Sequence, residues 1–254
     1  MVEPPTAKRA VHRSFEPAVA GSADLEPRTD PVELPADEVS LDRQAAIDPS
    51  AGDGERLADI RLLTLGLVTA ITAATVLVLA ALARGGVERV LGAAIYGASL
   101  AAVFGTSLLY RSTTEPRRRQ FLRRFDHAAI FAMIAGSATP FALARGGGGA
   151  PILAALWSIA GCGIVFKLHY PIGAVRSSAL VYLLLGWLSF VAVSPTLSGL
   201  GLRLIVAGGI CYSAGLPFLL WWRRLPYRFA IWHGFVLAGA ACHYAAIFAR
   251  VVAH

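Results

Sequence analysis

The chain has 254 residues, 56% of them apolar and 15% charged, with a mean hydropathy of +0.60. Soluble domains are roughly 45–50% apolar and about 25% charged, so this composition excludes a soluble enzyme, a nucleic-acid module and a disulfide scaffold. The net charge of +7 hides a split: residues 1–60 hold thirteen acids and six bases, whereas the other 194 hold three acids (Glu88, Glu115, Asp126) and seventeen bases.

Residues 1–56 contain seven of the fourteen prolines and no long apolar run. Such a segment cannot bury enough surface to offset its ordering entropy, so it reads as a disordered acidic tail without a signal peptide. Residues 57–254 then form the membrane domain. A helix needs about 20 apolar residues to cross the hydrocarbon core, and seven segments approach that length: about 62–83, 90–110, 126–144, 151–168, 178–195, 203–222 and 229–250. Their apolar runs are continuous rather than alternating, which argues against a barrel. The expected fold is an all-α seven-transmembrane bundle.

Basic residues orient it. The loops after the second, fourth and sixth segments hold eleven: Arg111, Arg117, Arg118, Arg119, Arg123, Arg124, Lys167, Arg176, Arg223, Arg224 and Arg228. The opposite side holds five: Arg84, Arg89, Arg145, Arg203 and Arg250. This predicts a multi-pass protein of the cell membrane with its N-terminus cytoplasmic and its C-terminus outside. Pro140 and Pro217 are expected to kink their helices, and Trp221, Trp222 and Trp232 to belong to the inner aromatic belt. Cys162, Cys211 and Cys242 show no metal-ligand spacing and read as small packing or lipid-facing residues. Gly92, Gly97, Gly136, Gly161 and Gly208 permit close helix packing, within one chain or between two.

Polar groups at membrane depth mark candidate sites. Ser107 and Arg111, Asp126 and His127, and Phe229 and His233 fall at the cytoplasmic ends of the second, third and seventh segments. Asp126 reads equally as an N-cap of the third helix, Arg111 as a snorkelling side chain, and His233 as a packing residue. His243, almost three turns deeper, faces another helix, and His169 lies at the interface.

The stretches RRFDHAAIFAMIAGSATPF (123–141) and FAIWHGFVLAGAACHYAAI (229–247) resemble the helix 3 and helix 7 signatures of the hemolysin III family, related to the progestin and adipoQ receptors. The resemblance covers about residues 60–250. It implies a zinc ion near the cytoplasmic side, held by one histidine of helix 2 and two of helix 7, with a serine and an aspartate completing the site. Ser107, Asp126 and His233 match that pattern. Arg111 and Phe229 stand where the other two ligands belong, leaving His233 as the retained metal ligand, and the motif expected before helix 1 is reduced to Asp59 and Arg61. One imidazole cannot hold a tetrahedral zinc ion, and a nearby guanidinium opposes a divalent cation. The expectation is therefore a metal-impaired member acting in membrane homeostasis, with Arg111 paired to Asp126. The alternatives are a ceramidase-like zinc hydrolase of lipid amides, in which Ser107 and Asp126 are catalytic and a lipid is the substrate, and a transporter or pore. The bilayer is the expected partner, and nucleic acid is not one.

Overall fold

The computed structural model describes residues 52–170, 175–222 and 224–253. Residues 1–51, most of the expected tail, and Arg223 lie outside the described residues. Seven long helices follow one another: α1 (Asp53–Arg84), α2 (Val87–Ser112), α3 (Pro116–Leu143), α4 (Ala150–His169), α5 (Val175–Val193), α6 (Gly199–Leu220) and α7 (Arg228–Ala253). Short 3-10 turns at Gly146–Gly149 and Ser194–Thr196 lead into α4 and follow α5.

Six of the helices are long and apolar enough to cross a membrane by themselves. The exception, α3, is the centre of the bundle and packs on α2, α4, α5 and α7. Protein surrounds it where lipid surrounds the others, so it tolerates polar residues at membrane depth. One of them, Thr139, is 1% exposed, bonds back to the Ala135 carbonyl and accepts the Trp157 indole N–H at 3.1 Å. Beyond α3, α1 packs on α2 and α7, and α6 joins α5 to α7. Tyr96, fully buried, ties α2 to α7 through its hydroxyl, which donates to the Ala240 carbonyl at 3.3 Å. Leu65, Val68, Leu79, Leu184 and Val191 are more than half exposed on the outer faces. That distribution suits a hydrocarbon solvent, and the chain is a multi-pass membrane protein.

Two helices begin well before the sequence expectation. Helix α1 begins nine residues before the expected 62. Helix α3 begins at Pro116, ten residues before Asp126, so the arginine-rich stretch is its first turns rather than a loop. Glu115 is its N-cap and accepts from the Arg117 and Arg118 N–H groups, while proline at the first helical position needs no donor. Asp126 is therefore no cap. Pro140 and Pro217 fall in the last turns of α3 and α6, where little helix remains for a kink to redirect.

Close approaches separate the five glycines. A Cβ on Gly97 would lie 2.6 Å from that of Ala74, and one on Gly92 would lie 3.0 Å from the Pro140 Cα. Gly136 faces Ser99, and Gly208 faces His243. These four serve contacts within the chain, while Gly161 faces open space.

Candidate functional site

The starts of α1, α3, α5 and α7 and the ends of α2, α4 and α6 share one end of the bundle, which is the basic one. Arg56 donates to the Ser112 carbonyl at 3.1 Å, and Arg124 to the Leu168 carbonyl at 3.0 Å, so arginines stitch neighbouring helix ends together. Lys167, expected as a loop charge, is buried and donates to the Ser178 hydroxyl at 2.7 Å.

Two carboxylates organise the site. Asp59, on the second turn of α1, is 3% exposed. One of its oxygens accepts from His233 Nδ1 at 2.5 Å, and the other lies 3.4 Å from Arg111 Nε. An ionised carboxylate only accepts, so His233 carries its proton on Nδ1 and turns Nε2 away from Asp59. Asp126, the eleventh residue of α3, accepts a short hydrogen bond from the Ser107 hydroxyl, and its other oxygen lies 3.6 Å from His127 Nδ1. The expected Arg111–Asp126 pair is thus replaced by Arg111–Asp59. Arg111 is in the last turn of α2, where the buried start of α1 delivers a carboxylate directly to it.

Asp59 carried no role in the sequence reading, yet a signal for it exists. Asp59, Leu63, Gly66, Ala70, Leu77 and Ala81 are the buried residues of α1. Their spacings of three, four and seven form one helical stripe, and Asp59 continues it toward the N-terminus.

The positions implied for the two missing zinc ligands meet face to face. The Arg111 guanidinium lies 3.7 Å from the centre of the Phe229 ring, and the Arg228 guanidinium lies 4.1 Å from it. Two planar cations on one aromatic face pair are a stable arrangement, each worth about 0.5–2 kcal/mol depending on desolvation. It is also a poor zinc site: Phe229 has no donor atom, Arg111 brings a fixed positive charge, and His233 is the one imidazole among the three positions. Among the described residues, no three histidine, cysteine or acidic side chains converge as a metal would require.

A cavity of about 700 Å³ opens beside these groups. Ser107, Arg111, Asp126, His127, Phe229 and His233 all line it. Arg119, Arg123 and Arg228, each at most 9% exposed, line its basic end as well. Toward the other end the wall is mostly apolar and includes Met133, Ile134, Phe190, Ile205 and Val236. Trp232, expected in the aromatic belt, instead lines the cavity against the buried Ala179, Leu216 and Leu220. Trp221 and Trp222 are more than half exposed, as belt residues are. His243 contacts α6, with Nε2 3.3 Å from the Ile205 carbonyl and its ring edge-on to Tyr212. His169 is exposed on the last turn of α4.

The same helices carry the match to known proteins. A model of the Haemolysin-III related family matches residues 60–244. Hemolysin-3 of Bacillus cereus is 38% identical over 182 residues, covering 70% of this chain and 83% of that protein. The Hemolysin-3 homolog of Bacillus subtilis (strain 168) is likewise 38% identical over 182 residues, covering 70% and 85%. The human monocyte to macrophage differentiation factor is 28% identical over 164 residues, covering 60% of this chain and 67% of its own length. No solved structure matches the chain. Five of the seven helices lie wholly inside the family match and α1 and α7 largely so, and Ser107, Asp126 and His233 lie within it. The resemblance read from the two signature helices therefore holds, and the chain belongs to the Haemolysin-III related family.

Proposed function

We propose that this chain is a metal-independent member of its family, acting in homeostasis of the cell membrane with its N-terminus cytoplasmic and its C-terminus outside. The observation that carries the reading is the Arg111 guanidinium, 3.7 Å over the Phe229 ring and bound to Asp59. Arginine keeps its charge at every accessible pH, stacks on aromatic faces and pairs with carboxylates. It supplies, as a fixed covalent cation, the positive charge that zinc would bring to Asp59, Asp126 and His233. A guanidinium has no empty orbital and binds no water for activation, so hydrolysis by a metal-bound hydroxide has no counterpart here. The orientation rests on the concentration of arginine at the end that holds the site.

Elemental analysis of the purified, dialysed protein tests the reading. It should contain far less than one zinc per chain. Near-stoichiometric zinc would overturn it and favour the zinc-dependent hydrolase of lipid amides, in which Ser107, Asp126 and His233 line the reaction chamber. The double variant Arg111→His/Phe229→His places three imidazoles at the implied positions and should gain zinc that the parent lacks.

A further inference from the structure

We infer that Ser178 and Lys167 form a serine–lysine nucleophilic pair at the basic end of the cavity, acting on the ester of a single acyl chain. Lys167, in the last turn of α4, donates from Nζ to the Ser178 hydroxyl oxygen at 2.7 Å. Both are buried, at 6% and 7% exposed, and Ser178 lines the cavity. A nucleophile and its base need a contact of about 2.6–3.2 Å, which this pair meets. Lysine serves as that base in its neutral form, which arginine cannot, and serine–lysine pairs are one variant of serine catalysis. Ser107, also at the basic end, donates instead to Asp126, and a carboxylate is a far weaker base than an amine. The inference goes beyond the metal-independent reading and does not depend on it.

Two contacts place a cation at the level of Ser178. The Tyr182 hydroxyl of α5 donates to the His127 carbonyl of α3 at 3.0 Å. Both helices start at the basic end, so they run the same way, and Ser178 and Arg123 each stand one turn nearer that end on the same faces. Arg124 ties this level of α3 to α4, donating to the Leu168 carbonyl at 3.0 Å, one residue from Lys167. Arg123 is buried and lines the cavity, so its guanidinium stabilises the negative charge that develops beside Ser178.

In the first step, Ser178 Oγ bonds to the ester carbonyl carbon while its proton passes to Lys167 Nζ. The carbonyl π pair moves onto oxygen and returns as the bond to the alkoxide breaks, and Lys167 gives that alkoxide its proton. A water then attacks the acyl-serine, with Lys167 again taking and returning one proton, which releases the carboxylic acid and restores Ser178. Ester plus water gives acid plus alcohol, so water alone closes the balance. The acyl chain is set by length. Ser178 and Phe190, both in the cavity wall, are twelve residues apart on α5, about 18 Å at 1.5 Å per residue. One leaflet is half of a hydrocarbon core of about 30 Å, so one membrane acyl chain fits that run. The volume, about 700 Å³, is in the usual range of about 300–1,000 Å³ for one ligand.

The full chain, in detergent micelles with chelator, is treated with a hexadecyl fluorophosphonate, which transfers its phosphonyl group to an activated serine and releases fluoride. Peptide mass spectrometry should find the adduct on Ser178, and Ser178→Ala should remove it. Lys167→Arg keeps the cation and a donor for Ser178 but has no neutral form, so it should slow labelling about 100-fold or more. The parent should also hydrolyse p-nitrophenyl decanoate, with the same loss in kcat for Lys167→Arg. If Lys167→Arg does not fold, Ser178→Ala, which removes a single oxygen, carries the test through the loss of decanoate hydrolysis. An absent adduct, an adduct on another serine alone, or an unchanged labelling rate in folded Lys167→Arg overturns the inference. So does decanoate hydrolysis that survives Ser178→Ala. Zinc content of the undialysed and dialysed protein is read separately, so stoichiometric zinc defeats the metal-independent reading whatever the serine labelling gives.

Discussion

At the scale of single residues, Asp59 is the hinge of the site because it holds two partners on its two oxygens. His233 Nδ1 lies 2.5 Å from one and Arg111 Nε 3.4 Å from the other. Removing one partner of a buried pair costs about 3–5 kcal/mol, because the remaining charge stays buried without compensation. Asp59→Ala should therefore destabilise by that order, leaving Arg111 without its carboxylate. Arg111→Ala added to Asp59→Ala should then cost much less than Arg111→Ala alone. Thermal unfolding of the four proteins in one detergent closes the cycle, and strictly additive losses would refute the pairing. The same cycle between Arg111 and Asp126 should show the weaker coupling, since Asp126 is held by Ser107 and faces His127.

At the scale of helices, close approach of α1, α2 and α3 brings Asp59, Arg111 and Asp126 to one end. Gly97 lets α2 lie against Ala74 of α1, and Gly136 lets α3 lie against Ser99 of α2. Gly97→Val forces a side chain into a contact that already stands at 2.6 Å for a Cβ and should cost about 1–3 kcal/mol. Gly161→Ala meets nothing within 4 Å and should instead gain up to about 1 kcal/mol from helix propensity. The two unfolding midpoints should move in opposite directions. Much of this was legible in sequence: all seven helices and their order follow from apolar runs, and Asp126 and His233 fall in the two signatures. The boundaries were not. Hydropathy locates the part of a helix that needs lipid, and α1 and α3 both continue beyond it in polar sequence. For α3 the local signal was present, since Glu115–Pro116 is an acidic N-cap followed by proline at the first helical position. The partner of Arg111 was not legible, because pairing across 52 residues is decided by which helices pack, and α1 packs on both α2 and α7.

At the scale of the whole molecule, charge and architecture coincide: the cavity's arginine end is the end where the basic helix termini gather. Seven crossings carry the chain from one side to the other, so the turn before α3 and the turn before α4 must face opposite compartments. Translocating arginine-rich turns is costly, and the stretch 117–124 carries five arginines where the opposite turn around Gly146–Gly149 has Arg145 alone. That asymmetry supports the proposed cytoplasmic placement of the site-bearing end. Single cysteines at Thr113 and Gly147, in a chain whose Cys162, Cys211 and Cys242 are alanine, separate the two sides. A membrane-impermeant maleimide applied to intact cells should label Gly147→Cys and spare Thr113→Cys, and permeabilisation should make both reactive. The reverse pattern would place the arginine end outside and remove the topological half of the proposed function. The Asp59 and Arg111 geometry would be untouched by that result, because it depends on how the helices pack and not on which leaflet they face.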